Sequence, residues 1–373
     1  MYEYSHGGNA AFEHKGKAVL DLSANINPLG LPAQVRAAVI DAIAGATSYP
    51  DSFSYDLCQA IGGFEQLDAD WVFCGNGASD IIFRLPRAVG ARSTLLTAPS
   101  FSDYERAALS YGSEVVLHPL SRNDGFYIDA GIVDTICQSQ ADLVFICNPN
   151  NPTGVLTDLA LLEQVLIACQ SIGSTLVVDE CFMDFVGNAD EYSCKALLHK
   201  YQNLVVLKAF TKIFAMPGIR LGYALCANQE LRQRLYFHGA DWPVSNLAQA
   251  AGAAALTDAP AYISATQSFV LEERLRMQAE LKRLGFKAFD SRANYVFIQN
   301  PYPFDLSVLL DKQGIRIRSC ANYHTLDEAY LRIAVSTKEN NSLLLHTIAS
   351  ITEAYLQDGV GQPSDALVQM EVS

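Results

Sequence analysis

The sequence predicts an α/β protein with a large domain, built on a mostly parallel β-sheet flanked by helices, and a smaller α+β domain. Three observations lead to this prediction. Apolar runs of strand length recur between residues 71 and 210, and almost no polar residue interrupts them. Segments with helical periodicity separate most of these runs, which is typical of strands buried on both faces. In the final third of the chain, one long helical segment precedes several short strand-like pairs.

The large sheet is predicted from six apolar runs. In chain order they are 71–74, 93–97, 114–118, 143–147, 175–179 and 204–210. Between the fourth and fifth runs, the segment "DLALLEQVLIACQSIG" predicts a helix that begins after Asp158 as its cap and ends at Gly173. Strands and helices that alternate in this way favour parallel pairing.

The predicted domain boundaries follow from the change of pattern. Residues 45–245 are expected to form the large domain. The small domain is expected to combine 1–44 with 246–358, where the helix "SATQSFVLEERLRMQAELKRLG" precedes "ANYVFIQ", "GIRIRS" and "YLRIAV". The tail 359–373 contains Gly and Pro and no partner strand, so we expect it to be flexible.

Composition excludes several classes of protein. Half of the 373 residues are hydrophobic and 18% are charged, so the chain can build a sizeable core and general disorder is excluded. The net charge of −14 argues against a nucleic-acid partner, which needs a basic face. The nine cysteines form no CxxC pair, which predicts reduced thiols in a cytoplasmic protein and no metal site. The N-terminus is polar, so we predict no signal peptide. No apolar run approaches the length of a membrane span, so we predict no membrane partner.

Polar groups follow several of the predicted strands, at the edge where open parallel sheets bind ligands. After the first run, Gly75 and Gly77 permit a tight turn, and the amides of Ala78 and Ser79 open a predicted helix. Such a helix start is suited to a phosphate. After the fourth run, the loop "NPNNPTG" presents Asn151.

The last two runs add charged groups to this edge. The fifth ends in Asp179, a carboxylate that is costly to bury unless a cation or donor meets it. The sixth leads to Lys212, and Arg220 follows eight residues later. This set suits a phosphorylated aromatic aldehyde bound as a Schiff base to Lys212. Asp179 would pair with the ring nitrogen, Asn151 with the ring hydroxyl and Arg220 with the phosphate.

The motifs "AFTKIFAMPGIRLGY", "NPNNPTG" and "VVDECFMDF" resemble those of the pyridoxal-phosphate enzymes with the aspartate-aminotransferase fold. The resemblance covers roughly residues 5 to 358. It implies this fold, pyridoxal 5′-phosphate as cofactor and a homodimer whose active sites are shared between subunits.

The same resemblance implies further site residues. Tyr49 matches a tyrosine that comes from the partner subunit, and Thr211 lies beside the lysine in the cofactor site. Tyr104 matches the aromatic residue stacked on the cofactor ring, with Phe101 as the less favoured choice. Arg332 matches the arginine that binds the substrate α-carboxylate.

Two branches of this group are similar to the chain: threonine-phosphate decarboxylases of cobalamin synthesis and histidinol-phosphate aminotransferases. The N-terminal "HGGN", Ile26 in "NIN", Phe182 in "DECFMDF" and the block "GIRIRSCANYHTLDEAYLRIAV" resemble the decarboxylases. The resemblance therefore implies decarboxylation of O-phospho-L-threonine to (R)-1-aminopropan-2-yl phosphate. The implied substrate-binding residues are His6, Asn25, Asn27, Arg318 and Arg332.

Several alternatives stay open at this stage. An aminotransferase of the histidinol-phosphate type, or a decarboxylase of O-phosphoserine or another amino acid, fits the same motifs. A non-catalytic effector-sensing domain is a third hypothesis, which the intact Lys212 disfavours. By strand periodicity Arg316 and Arg318 lie on the same face, so spacing does not show which of them binds substrate.

Overall fold

A seven-stranded sheet forms the centre of the fold in this computed structural model, which describes residues 7–8 and 19–357. Its strand order is β2-β8-β7-β6-β5-β3-β4. The strands are β2 (Val72–Gly75), β3 (Ser93–Ala98), β4 (Glu114–Pro119), β5 (Leu143–Cys147), β6 (Thr175–Asp179), β7 (Leu204–Ala209) and β8 (Gly222–Leu225). Neighbouring strands from β4 to β7 pair in parallel, whereas β8 pairs antiparallel with both β7 and β2. The predicted mostly parallel sheet is thus confirmed.

Helices separate most of these strands and cover the sheet. They are α1 (Ala33–Ala42), α2 (Tyr55–Glu65), α3 (Ala78–Val89), α4 (Ser102–Tyr111), α5 (Gly131–Ser139), α6 (Leu159–Ser171), the one-turn α7 (Phe210–Ile213), α8 (Gln229–Phe237), α9 (Asn246–Leu256), α10 (Ala259–Arg283), α11 (Leu306–Lys312) and α12 (Lys338–Gln357). The cap expected for α6 is present, because the Asp158 carboxylate accepts a hydrogen bond from the backbone N–H of Leu161 at 2.8 Å. Within the described residues, no helix has both the length and the apolar character to cross a bilayer.

Two smaller sheets lie in the rest of the chain. An antiparallel sheet has the order β12-β13-β10-β9. The short strand β1 pairs in parallel with β11. The remaining strands are β1 (Leu20–Asp21), β9 (Lys287–Ala288), β10 (Tyr295–Gln299), β11 (Ile315–Arg316), β12 (Arg318–Ser319) and β13 (Tyr330–Ala334). The segment "GIRIRS" is therefore divided at Ile317, and its two halves belong to different sheets.

The division into two domains stays a prediction, and apolar packing indicates where its boundary would lie. Ala248, Ala251 and Ala255 of α9 pack in the same apolar cluster as Leu57 and Ile61 of α2, beside the large sheet. A separate cluster joins the second half of α10 to the small antiparallel sheet and α12. Packing therefore favours a boundary inside α10, farther along the chain than residue 246.

A buried ion cluster fixes the strand that leads to the one-turn helix α7. Lys208 of β7 is 4% exposed, and its amine lies 2.6 Å from the carboxylate of Asp184 and 3.7 Å from that of Glu65. Glu65 also accepts a hydrogen bond from the hydroxyl of Tyr223 on β8 at 2.6 Å. Buried charges are stable only when they are paired in this way. The cluster therefore ties β7 and β8 to α2.

Candidate active site

A cavity of about 230 Å³ opens at the carboxyl ends of the parallel strands, beside the small antiparallel sheet. Most of the residues predicted for the site line it, namely Asn25, Ala78, Ser79, Tyr104, Asn151, Asp179, Thr211, Lys212, Arg220, Arg318 and Arg332. The fold thus brings together side chains from both ends of the sequence.

One end of the cavity is built to hold an anion. Helix α3 begins directly after Gly77, which has a φ of +78°. A Cβ atom on Gly77 would lie 2.6 Å from a guanidinium nitrogen of Arg220, and the positive φ also favours glycine at this position. A Cβ atom on Gly222 would meet the backbone nitrogen of Ala78 at 2.4 Å. The close packing sets the guanidinium beside the amides of the helix start, and both carry positive charge.

Lys212 lies in α7, at the end of β7, and its side chain is half-buried. Burial, together with the positive charges of Arg332 and Arg220, lowers the pKa of its amine to about 8, against the opposing effects of Cys181 and Asp179. A neutral amine is the form that attacks a carbonyl carbon. The surroundings therefore prepare Lys212 to act as a nucleophile near neutral pH.

Asp179 is held from one side by two donors. Its Oδ2 accepts a hydrogen bond from the hydroxyl of Tyr104 at 2.6 Å, and its Oδ1 accepts one from the backbone N–H of Cys181 at 3.0 Å. The carboxylate is 5% exposed and lines the cavity. Each oxygen retains a lone pair that a protonated ring nitrogen in the cavity could use.

The placement of Tyr104 argues against its predicted stacking on a cofactor ring. Tyr104 is 1% exposed, and its ring stacks on Phe145 with centroids 4.9 Å apart. Burial and the charge of Asp179 raise the pKa of its hydroxyl well above the usual range, so it stays a donor. Phe101, the alternative, precedes α4, lines the cavity and is less deeply buried. Phe101 is therefore better placed for stacking.

Arg332 spans the junction between the two larger sheets. It is 7% exposed, and its Nη1 donates to the side-chain oxygen of Asn151, while its Nη2 donates to the backbone oxygen of Ser23 at 2.9 Å. Its guanidinium lies 5.4 Å from the ring centroid of Tyr295. These contacts orient the planar cation at the wall of the cavity, where it could receive a carboxylate.

Arg318 and Arg316 have different surroundings, which spacing alone did not show. Arg318 is paired directly with Arg332 across β12 and β13, and both line the cavity. Arg316 belongs to β11, and its Nε donates to the carboxylate of Asp311 at 2.9 Å. The geometry therefore favours Arg318 for contact with a substrate in this cavity.

The two asparagines predicted to bind the substrate, Asn25 and Asn27, also have different surroundings. Asn25 lines the cavity and is 1% exposed, and its side-chain oxygen has no hydrogen-bond partner among the described residues. Asn27 instead donates to the backbone oxygen of Ile213 at 2.6 Å and to the hydroxyl of Thr266 at 2.8 Å, and it accepts from Leu29 at 3.0 Å. Asn27 thus holds the chain after Lys212 in place and has little capacity left for a ligand.

Tyr49, another predicted site residue, does not line the cavity in the single chain. Tyr49 is 79% exposed and stacks on Trp242, with ring centroids 4.3 Å apart. His6 and the tail 359–373 lie outside the described residues. The structure also adds Tyr323 to the cavity wall, which the sequence analysis did not select. Its position five residues after Arg318 in "RSCANY" was the available signal.

The residues present fit pyridoxal phosphate. The start of α3 and Arg220 offer a cradle for its phosphate, and Lys212 offers the amine for its aldehyde. Among the described residues, the buried side-chain oxygen of Asn25 and the buried Nε of Arg332 have no hydrogen-bond partner, which indicates a cavity suited to a polar molecule. When bound, this cofactor supplies a ring that withdraws electrons from the α-carbon of an amino acid.

The lowered pKa of Lys212 predicts its reactivity in the cofactor-free protein. Pulse acetylation at Lys212, followed by peptide mass spectrometry, should increase with a midpoint near pH 8, well below the value of about 10.4 for an ordinary lysine. Removing one neighbouring cation in Arg332→Gln should move the midpoint to higher pH. A midpoint near 10 in the unaltered protein, or no shift in the variant, would show that this description of the site is wrong.

Comparison with known proteins identifies the family of this chain. The family model for aminotransferase class I and II matches residues 17–348. The threonine-phosphate decarboxylase of Salmonella typhimurium is 34% identical over 94% of this chain and 97% of its own length.

Two solved structures show the same fold. The histidinol-phosphate aminotransferase from Clostridium acetobutylicum has a TM-score of 0.84 at 30% identity, covering 90% of this chain and 99% of that one. The histidinol-phosphate aminotransferase from Sinorhizobium meliloti, solved with pyridoxal 5′-phosphate, has a TM-score of 0.83 at 21% identity, covering 94% and 95%. The chain therefore belongs to the class I and II aminotransferase family, with the aspartate-aminotransferase-like fold and pyridoxal phosphate as its cofactor.

Proposed function

We propose that the protein is a carboxy-lyase that converts O-phospho-L-threonine to (R)-1-aminopropan-2-yl phosphate and carbon dioxide, as in cobalamin synthesis. The observation that carries this proposal is the cross-strand pair of Arg318 and Arg332, which both face the cavity that holds Lys212. Like charges directly opposite each other on adjacent strands are destabilising on their own. A substrate with two anionic groups would relieve this repulsion.

Each arginine is suited to one of these anions. Arg332 lies next to Asn151 and has the planar fork that binds a carboxylate with two hydrogen bonds. Arg318, directly opposite Arg332, is held by Asn322 of the turn after β12 and would bind the phosphate of the side chain. Holding an amino acid at both ends fixes its rotation about the α-carbon, and this rotation decides which bond is broken.

The other site residues complete the chemistry. Asp179 would hold the proton on the cofactor nitrogen, and Arg220 with the start of α3 would hold the cofactor phosphate. Lys212, with its pKa near 8, can return a proton to the α-carbon after carbon dioxide has left. Phe182 lines the cavity and has no hydroxyl, so the ring oxygen of the cofactor would depend on Asn151.

The similarity to the Salmonella threonine-phosphate decarboxylase supports this function. The similarity to histidinol-phosphate aminotransferases supports a second candidate, amino transfer from histidinol phosphate to 2-oxoglutarate. Both substrates carry a phosphate, but histidinol phosphate has no α-carboxylate. The buried and doubly anchored Arg332 is suited to an α-carboxylate, which O-phospho-L-threonine carries itself and which only the acceptor 2-oxoglutarate would supply in the second candidate.

We also propose a cytoplasmic homodimer in which Tyr49 reaches the active site of the partner subunit. Tyr49 is exposed, and so are four large apolar side chains close to it in sequence, Ile40, Ile43, Phe53 and Tyr55. Large exposed apolar patches mark interaction surfaces. The nine cysteines are all unpaired, which supports a reducing compartment.

Carbon dioxide release tests the proposed reaction. Holoenzyme incubated with O-phospho-L-threonine and no 2-oxo acid should release carbon dioxide steadily. Arg318→Gln should reduce kcat/KM at least tenfold, because it removes a charge-assisted contact worth about 1.5–3 kcal/mol. Arg316→Gln is the matched control, since this neighbouring arginine lies outside the cavity, and it should keep near-normal activity. Glutamate formation from histidinol phosphate and 2-oxoglutarate, without carbon dioxide release, would instead establish the aminotransferase.

The contact between Tyr104 and Asp179 predicts how firmly the cofactor is held. In Tyr104→Phe the carboxylate loses its hydroxyl donor, so pyridoxal phosphate should dissociate about tenfold faster. Loss of visible absorbance after dilution measures this rate. Tyr223→Phe is a matched control, because this buried tyrosine also donates to a carboxylate at 2.6 Å but lies outside the cavity. Equal dissociation rates in the two variants would count against a role for Tyr104 at the cofactor.

A further inference from the structure

Tyr323 lines the active-site cavity, and the roles assigned above do not use it. It is 8% exposed and lies in the turn after β12, where its backbone N–H donates to the oxygen of Cys320 at 3.0 Å. A buried tyrosine offers a large apolar ring and one hydroxyl that requires a polar partner.

The turn folds back on Arg318, the last arginine before it. The side-chain oxygen of Asn322 accepts a hydrogen bond from Nη2 of Arg318 at 2.9 Å. The guanidinium carbon of Arg318 lies 5.7 Å from the ring centroid of Tyr323, within the range of a cation–π contact. Two consecutive residues of the turn thus fix the guanidinium from two directions.

The positive charges of both cavity arginines, Arg332 and Arg318, act on the hydroxyl of Tyr323. Burial raises the pKa of this hydroxyl, while the positive charges of Arg332 and Arg318 oppose the rise. An arginine donates and does not accept, so the hydroxyl proton remains available for an anionic acceptor in the cavity.

A second contact anchors the turn to the large-sheet side of the cavity. His324 Nε2 lies 3.0 Å from both carboxylate oxygens of Glu105 on α4. Helix α4 begins directly after Phe101, the aromatic residue that faces the cavity. Tyr323 is therefore tied to the element that would flank the cofactor ring.

We propose that Tyr323 is a specificity-determining residue that donates a hydrogen bond to the side-chain phosphate of the substrate while its ring supports Arg318. The inference rests on the proposed function, because it assumes a phosphorylated amino acid in this cavity. The substrate phosphate would then be bound by one cation, Arg318, and one neutral donor, Tyr323, and not by an arginine alone. Such a pair would favour a phosphate over an uncharged side chain of similar size.

The test compares ligands that differ only in the phosphate. Holoenzyme is mixed rapidly with O-phospho-L-threonine or with L-threonine, and the initial change in cofactor absorbance, before turnover, gives each dissociation constant. The variants are Tyr323→Phe, which keeps the ring, and Tyr323→Leu, which removes both ring and hydroxyl. Tyr330→Phe is the control, because the hydroxyl of Tyr330 accepts a hydrogen bond from Arg122 at 3.1 Å, outside this cavity.

Tyr323→Phe should weaken O-phospho-L-threonine about tenfold and leave L-threonine nearly unchanged, and Tyr323→Leu should weaken the phosphorylated ligand further. Tyr330→Phe should not alter the ratio of the two constants. An unchanged ratio in both Tyr323 variants, or an equal loss for both ligands, would overturn the inference, since either result indicates a purely structural residue.

Different results would contradict the role of Tyr323 and the proposed reaction. If O-phospho-L-threonine is not decarboxylated but histidinol phosphate binds, the same comparison is made with histidinol phosphate and histidinol. A phosphate-dependent loss in Tyr323→Phe then supports the inference although the proposed reaction is wrong. If the unaltered holoenzyme binds no phosphorylated ligand more tightly than its phosphate-free counterpart, Tyr323 has no such role.

Discussion

The burial of the Lys212 amine close to two arginines is the interaction on which the rest of the site depends. Desolvation and the charges of Arg332 and Arg220 lower its pKa to about 8, so the neutral amine is accessible near physiological pH. The same cations repel one another in the cavity, and the anionic groups of a bound ligand would relieve this repulsion. Nucleophilic reactivity and affinity for a phosphorylated, carboxylated ligand therefore have a common electrostatic cause.

The fold supports this cluster from three directions. Asn151, in the loop after β5, and the backbone of Ser23 both hold Arg332, which comes from the small sheet. Asn27, close in sequence to Ser23, holds the chain that follows Lys212. The carboxylate site thus lies at the junction of separate elements, and its geometry depends on how they pack.

Much of this architecture could be predicted because its signals are local. The strands 143–147 and 175–179 are continuous apolar runs with definite ends, and Asp158 is a typical helix cap. Strand β8 (Gly222–Leu225) was missed because four residues that begin with glycine give little periodicity. The division of "GIRIRS" at Ile317 depends on which strands lie alongside, and β1, the partner of its first half, is almost 300 residues away in sequence.

The site was predictable in its residue types and less so in its contacts. Phe101 and Tyr104 are three residues apart at the start of α4, and only packing against Phe145 and Asp179 shows which ring is turned inward. Asn25 and Asn27 look equivalent in sequence, but Thr266 on a distant helix occupies the second of them. Tyr323 has no motif of its own, since its position follows from the turn that encloses Arg318.

The central claim is that each cavity arginine recognises one anion of the substrate. The most direct test is the dissociation constant of the holoenzyme for O-phospho-L-threonine, L-threonine and 1-aminopropan-2-yl phosphate, measured in Arg318→Gln, Arg332→Gln and the double variant. We expect Arg318→Gln to remove the preference for the phosphorylated amino acid over L-threonine. Arg332→Gln should remove the preference for the amino acid over the amine that lacks the carboxylate. If either substitution weakens all three ligands equally, or if the two effects are exchanged, the assignment of one anion to each arginine is wrong.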